Sequence, residues 1–251
     1  MTESPASSRD RFLGGALEIL QPLTGYRAGT DPVFMAAAVP ARAGESVLDL
    51  GCGVGVAALC LWHRTKATVT GVEIQPEYAR LARINAMAAH ADFEIAKADV
   101  ASLSPQLHAR SFDHVMTNPP YFARQSGTAA SDAGKELANR EFLPLSEWLD
   151  VAIRRLVPRG TLTVVARTDR LPEVLQALVP RIGKLSVKPL AARQGRPAKR
   201  VIIQGVKGSK TPLKLLSPLV LHAGDRHESD RENHTADVQD ILRRGRELLL
   251  D

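Results

Sequence analysis

Ser46-Val47-Leu48-Asp49-Leu50-Gly51-Cys52-Gly53-Val54-Gly55 is the stretch whose reading decides the fold. Its apolar start predicts a short buried strand over 46–50. Three glycines at alternate positions follow, and a glycine lets backbone approach a ligand with no Cβ in the way. Residues 56–64 then predict a helix. A strand, a glycine-rich turn and a helix open a nucleotide-binding α/β unit. The spacing is G-x-G-x-G, not the G-x-G-x-x-G of a dinucleotide site, and Asp49 stands beside it. A pyrophosphate disfavours a neighbouring carboxylate, whereas a ligand with a cationic end tolerates one. Asp49, Gly51, Cys52, Gly53 and Gly55 are therefore candidates for holding such a ligand.

Downstream, residues 67–72 predict a second strand, closed by Glu73 and followed by Ile74. An acidic residue about twenty positions after the glycines is placed to hold the hydroxyls of a ribose. Gln75-Pro76-Glu77 starts a helix reaching about Ala89, and 93–98 is a third strand ending in Asp99-Val100. A carboxylate there could accept from an adenine amino group. Residues 112–117 form a fourth strand running into Asn118-Pro119-Pro120-Tyr121. Proline fixes its own φ, lacks a backbone donor and pushes the preceding residue into an extended conformation. Asn118 is thus held with its amide aimed and its carbonyl outward, a corner that can accept two hydrogen bonds from an –NH2 group. Tyr121 can lie flat against the ring that carries the amine. Asp49, Glu73, Asp99 and Asn118 fall at successive strand ends, the edge along which open α/β sheets bind ligands.

Residues 1–11 read as a loose polar tail and 12–20 as a short strand pair. In the loop 25–31, Asp31 reads as an N-cap and Pro32 as the first helical residue of a helix over 33–39. Tyr26, Arg27, Gly29, Thr30 and Asp31 are candidates for a lid over the ligand pocket. The polar segment 122–142, with Phe122 and Arg124, is a candidate substrate clamp. Further on come a helix over 145–156, a turn at 157–160, a strand over 161–166 and a helix over 171–178. Strands over 184–189 and 201–206 make an edge hairpin whose tip carries Arg193, Arg196, Lys199 and Arg200, suited to gripping phosphates. Residues 222–234 read as a charged loop without metal-ligand spacing, and 237–250 as an amphipathic helix. The expected organisation is a tail and lid over 1–45, an α/β domain over 46–221, and a charged loop with a helix over 222–251.

The net charge of +6 favours a polyanionic partner. Two cysteines supply neither a disulfide framework nor a metal cluster, which fits a reducing cytoplasm. The first residues lack the basic start and apolar run of a signal peptide, and no run approaches the ~20 apolar residues of a membrane span.

The ordered set DLGCGVG (49–55), GVE (71–73), KAD (97–99) and NPPY (118–121) resembles the class I S-adenosylmethionine-dependent methyltransferases that methylate amino groups. FLGGALEILQPLTGYRAGTDPVFMAAAVP (12–40) and RPAKRVIIQGVKG (196–208) are similar to the bacterial family that methylates N6 of adenosine 37 in valine tRNA. The resemblance implies a Rossmann-like α/β fold: a seven-stranded, mostly parallel sheet with an antiparallel C-terminal hairpin and helices on both faces. It implies S-adenosyl-L-methionine as cofactor, no metal, no membrane, and a tRNA substrate for a monomer or homodimer. Asn118, Pro119, Pro120 and Tyr121 would form the catalytic corner, with Asn118 also touching the cofactor and Tyr121 and Phe122 stacking on the base. Protein-glutamine N5 and rRNA guanine-N2 methyltransferases use a similar corner. The glutamine enzymes usually carry an extra N-terminal helical domain, for which the segment before Ser46 is short.

Overall fold

Strands buried on both faces by flanking helices read as near-continuous apolar runs, and such runs build the central layer here. The structure, a computed structural model, describes residues 7–120, 143–224 and 233–250. An N-terminal hairpin pairs β1 (Ser7–Phe12) with β2 (Leu17–Pro22). Helix α1 (Asp31–Ala38) leads into β3 (Ser46–Leu50), α2 (Val56–Thr65), β4 (Thr68–Glu73), α3 (Pro76–Ala88), β5 (Phe93–Lys97), α4 (Pro105–Ala109) and β6 (Phe112–Thr117). From residue 143 on come α5 (Leu145–Arg154), β7 (Leu156–Arg167), α6 (Leu171–Leu178), β8 (Ile182–Ala191) and β9 (Arg200–Lys207). The pieces β10 (Lys214–Leu215) and β11 (Leu219–Val220) and the helix α7 (Ala236–Arg244) complete the described chain.

The sheet order is β10-β8-β9-β7-β6-β3-β4-β5, with β11 also paired to β8. Strands β3 to β7 pair in parallel, and β9 pairs antiparallel with both β7 and β8. The seven long strands are those expected; the two-residue β10 and β11 add parallel rungs to β8 and cover its open edge. One face packs Phe34, Leu59, Leu61, Leu81 and Ile241. The other packs Phe112, Leu149, Ile153 and Leu178. Among the described residues no helix is long and apolar enough to cross a membrane.

Several boundaries differ from the sequence expectation, each for a tertiary reason. The strand β1 begins at Ser7, inside the stretch expected to be loose, because its polar residues find partners. Asp10 accepts from Gln21 Nε2 at 2.6 Å and from Arg27, while Arg9 and Arg11 flank Glu18 across the hairpin. Asp31 is the first helical residue rather than the cap, since its carboxylate turns to Arg200 Nε at 2.9 Å. Residues 157–160 are not a turn but part of the 12-residue β7. Phe112 pairs with Leu156 and His114 with Thr161, so the strand absorbs the extra residues as an irregularity, with Arg159 at φ 70°. The last helix stops at Arg244 because Gly245 adopts φ 66°, a left-handed end. Beyond it Leu248 and Leu250 are buried, and Leu248 N–H donates to Ala37 O at 2.8 Å.

One amide ties the hairpin to the core. Asn85, buried in α3, accepts Leu20 N–H through Oδ1 at 2.8 Å. Its Nδ2 donates to Leu20 O at 3.1 Å and to Val54 O at 3.0 Å. Asn85→Leu would strand these backbone groups without partners. It is expected to lower stability by about 2–4 kcal/mol, read from urea unfolding, and an unchanged midpoint would contradict this role.

Candidate active site

The chain steps outward from β3 through β4 to β5, then crosses back to place β6 on the other flank of β3. Such a reversal opens a crevice at the carboxyl ends of the strands. Along it stand Asn118 after β6, Asp49 in β3, Glu73 ending β4 and Asp99 just past β5. The order β6-β3-β4-β5 makes them neighbours in space as well as in the sequence pattern.

The glycine turn is folded back onto β4. Gly51 N–H and Cys52 N–H both donate to Val72 O, at 2.9 and 3.0 Å. Gly53 and Gly55 lie at φ 57° and 90°, where L side chains are strained. Packing also demands Gly55, since a Cβ there would sit 2.7 Å from the Phe93 ring. Gly53 is different: a Cβ there would meet nothing within 4 Å, so its backbone borders open space. Cys52 presents its backbone to the turn while its thiol is buried beside Gly71, and burial pushes that thiol well up.

Glu73 fixes the turn from the next strand. Its Oε2 accepts Gly53 N–H at 3.0 Å and its Oε1 accepts Gln75 N–H at 2.8 Å. Each carboxylate oxygen has lone pairs left for a ligand hydroxyl. Burial pushes the Glu73 carboxyl above its ordinary pKa, and these backbone bonds oppose the rise. Asp49 is 1% exposed and its Oδ2 has no partner among the described residues. Burial, reinforced by the Glu73 charge, pushes its carboxyl up to about 8. A buried carboxylate oxygen without a partner among the described residues suits a ligand that brings a positively charged donor. Asp99 is exposed, with Oδ1 accepting Ala101 N–H at 2.9 Å; Ile74 is exposed beside Glu73, and Val100 is buried in the core beneath.

The lid residues divide. Tyr26 is half exposed, and its carbonyl accepts the Tyr78 hydroxyl at 3.0 Å. Partial burial, then the Asp31 charge, raise its phenol. Arg27 instead serves the hairpin, donating to Pro22 O at 2.7 Å and to Asp10. Gly29 has open space around it, and Thr30 and Asp31 start α1.

At the corner, Asn118 is half-buried, Pro119 buried and Pro120 exposed. Tyr121, Phe122, Arg124 and the clamp segment 122–142 lie outside the described residues. Of the basic tip, Arg193 donates to Ala223 O at 2.6 Å and Gly224 O at 2.9 Å, and Arg200 is paired with Asp31. These two guanidinium groups brace the chain itself, whereas Arg196 and Lys199 are exposed at the tip. Sequence reasoning passed over Thr117, Trp148, Asn85 and Gln21. The only signal for Trp148 was its place on an apolar helix face, which reads as core.

The family described as "Methyltransferase small domain" matches residues 29–186. The tRNA1(Val) (adenine(37)-N6)-methyltransferase of Porphyromonas gingivalis is 34% identical over 175 residues, covering 66% of this chain and 68% of its own length. The Aeromonas hydrophila protein of the same name is 29% identical over 209 residues, covering 82% of this chain and 86% of its own. Among solved structures, an Agrobacterium tumefaciens protein described as a predicted O-methyltransferase is similar with a TM-score of 0.69 and 26% identity, over 87% of this chain and 98% of that one. The 16S rRNA N2 G1207 methyltransferase of Thermus thermophilus shares the fold, with a TM-score of 0.55 and 20% identity over 80% of this chain and 50% of that one.

Proposed function

The chain belongs to the methyltransferase small-domain family of class I S-adenosylmethionine-dependent enzymes, and from that premise we propose that it methylates the exocyclic N6 of an adenine in a tRNA anticodon loop. The observation that carries the reading is the asparagine-proline corner standing next to Asp49 and Glu73 on one crevice. Relatives named for tRNA adenine-N6 methylation support the substrate.

Bound S-adenosyl-L-methionine supplies an electrophilic methyl group on a sulfonium that leaves as a neutral thioether. The partnerless Asp49 oxygen would receive its ammonium end, and the Glu73 carboxylate its ribose hydroxyls. Ile74 and Val100 would border the adenine, with Asp99 at its amino group. On the acceptor side, Asn118 Oδ1 takes one hydrogen of the target amine and the Pro119 carbonyl takes the other. Both bonds localise the nitrogen lone pair and aim it into the crevice. The nitrogen becomes cationic as its new bond forms, so its surplus proton leaves to water without a strong base. Most of the acceleration is then alignment. A stacked base cannot reach such a corner, so the adenine must be flipped or already unpaired. Anticodon loops present bases of that kind, and Tyr121 is the stacking platform. The reaction belongs in the cytoplasm, where tRNA is matured.

Charge separates this reading from methylation of a protein glutamine. Affinity for unmodified bulk tRNA is expected to fall steeply with salt, by about 0.7–0.9 in the log-log slope for each phosphate contact. Arg196→Ala and Lys199→Ala are each expected to reduce that slope by about one. A flat salt profile would contradict the RNA substrate.

A further inference from the structure

Leu50 and Thr117 form the last paired rung between β3 and β6. Beyond it the two strands part, Gly51 into the glycine turn and Asn118 into the proline corner. The donor and acceptor halves of the site therefore diverge from this rung, and any error in it becomes an error in their separation.

Side chains lock the rung. Thr117 is fully buried and donates its hydroxyl to Leu50 O at 2.8 Å. Thr117 Oγ1 in turn accepts the indole N–H of Trp148 at 2.9 Å. The benzo edge of that indole lies on Gly51: a Cβ there would come within 3.1 Å of Cζ2 and 3.3 Å of Cη2. Trp148 is thus in contact with the first residue of the glycine turn and bonded to the residue before Asn118. Its neighbours on α5, Leu149, Ala152 and Ile153, are buried and apolar, while Trp148 stays half-buried. Packing alone asks only for the ring. The N–H has a separate consequence, since with both an acceptor and a donor bond satisfied the Thr117 hydroxyl has one orientation left.

We propose that Trp148 is a positioning residue that sets the distance between the glycine turn and Asn118 through the Trp148–Thr117–Leu50 chain of hydrogen bonds. This rests on the methyltransferase reading above and adds a residue to its machinery. The demand for precision is steep, because a misplacement of about 1 Å can cost roughly a hundred-fold in rate.

Trp148→Phe keeps a ring against Gly51 and removes the N–H; Thr117→Val keeps the shape and removes the hydroxyl. Each is expected to lower kcat about ten- to a hundred-fold. The KM for tRNA and the affinity for S-adenosylhomocysteine should stay within about two-fold of the parent. The double variant should be no worse than the weaker single, since both changes break one chain. Multiplicative losses, or losses confined to KM, would overturn the proposal. The parent protein separates this inference from the reading beneath it: a parent that leaves tRNA unmethylated denies the substrate, whereas an active parent with an equally active Trp148→Phe variant denies the positioning role. A second readout needs no RNA. The chain has two tryptophans, so Trp62→Phe leaves Trp148 as the sole reporter. Its emission is expected to change as S-adenosylhomocysteine binds, and unchanged emission at calorimetrically verified saturation would place the indole away from the site and overturn the proposal.

Discussion

Asn118→Ala is expected to lower turnover about a thousand-fold while S-adenosyl-L-methionine still binds. In the proposed mechanism the side-chain oxygen is one of two acceptors for the target amine, and it is the one a substitution can remove. An acceptor preorganised by Pro119 and placed at the end of a buried strand costs nothing to reorient during the reaction. Without it the amine keeps its lone pair delocalised into the ring and turned away from the methyl group. In the proposed reading the donor is held mainly from other strands, through Asp49, Glu73 and the turn that starts at Gly51. Calorimetric titration should therefore show near-parental donor affinity while single-turnover transfer collapses. Near-normal transfer in this variant would remove Asn118 from the chemistry.

Asp49→Asn is expected to separate stability from binding. The carboxyl of Asp49 lies at about 8 in the folded chain against an ordinary value of 3.8, because it is buried and faces Glu73. The folded state therefore holds a proton that the unfolded state releases. Stability from this group is fully present below the unfolded value and is lost as pH rises through the interval between the two, up to about 8. Asparagine removes that loss. The unliganded variant should melt about 4–8 °C higher than the parent near pH 8.5, a gain of about 2 kcal/mol. Its affinity for S-adenosyl-L-methionine should fall about a hundred-fold, the cost of deleting one partner of a buried charge pair. The parent should also release close to one proton on binding the donor near pH 6, seen as a binding heat that varies with the ionisation heat of the buffer. A buffer-independent heat at that pH would show that Asp49 does not ionise against the donor.

The parts of the fold read correctly from sequence are those whose cause is local. Apolar runs leading to Asp49, Glu73, Asp99 and Asn118 mark buried parallel strands and their ends. The parts missed have distant causes. Asp31 gives up the capping role for Arg200, 169 positions away. Pro158-Arg159-Gly160 has the chemistry of a turn, yet pairing of Leu156 with Phe112 draws it into β7. Ser7 to Arg11 looks loose until Gln21, Glu18 and Arg27 are seen opposite. Gly245 was a legible stop after two arginines, overridden in the reading by the apolar residues beyond it. Trp148 announces its apolar face but not its N–H, whose partner lies on another strand.

The most direct test of the account is methyl transfer from radiolabelled S-adenosyl-L-methionine to unmodified bulk tRNA, with a release-factor-like protein offered in parallel and the RNA digested to nucleosides. Label recovered as N6-methyladenosine from tRNA is the predicted result. Label in the protein substrate, or in another nucleoside, would contradict it.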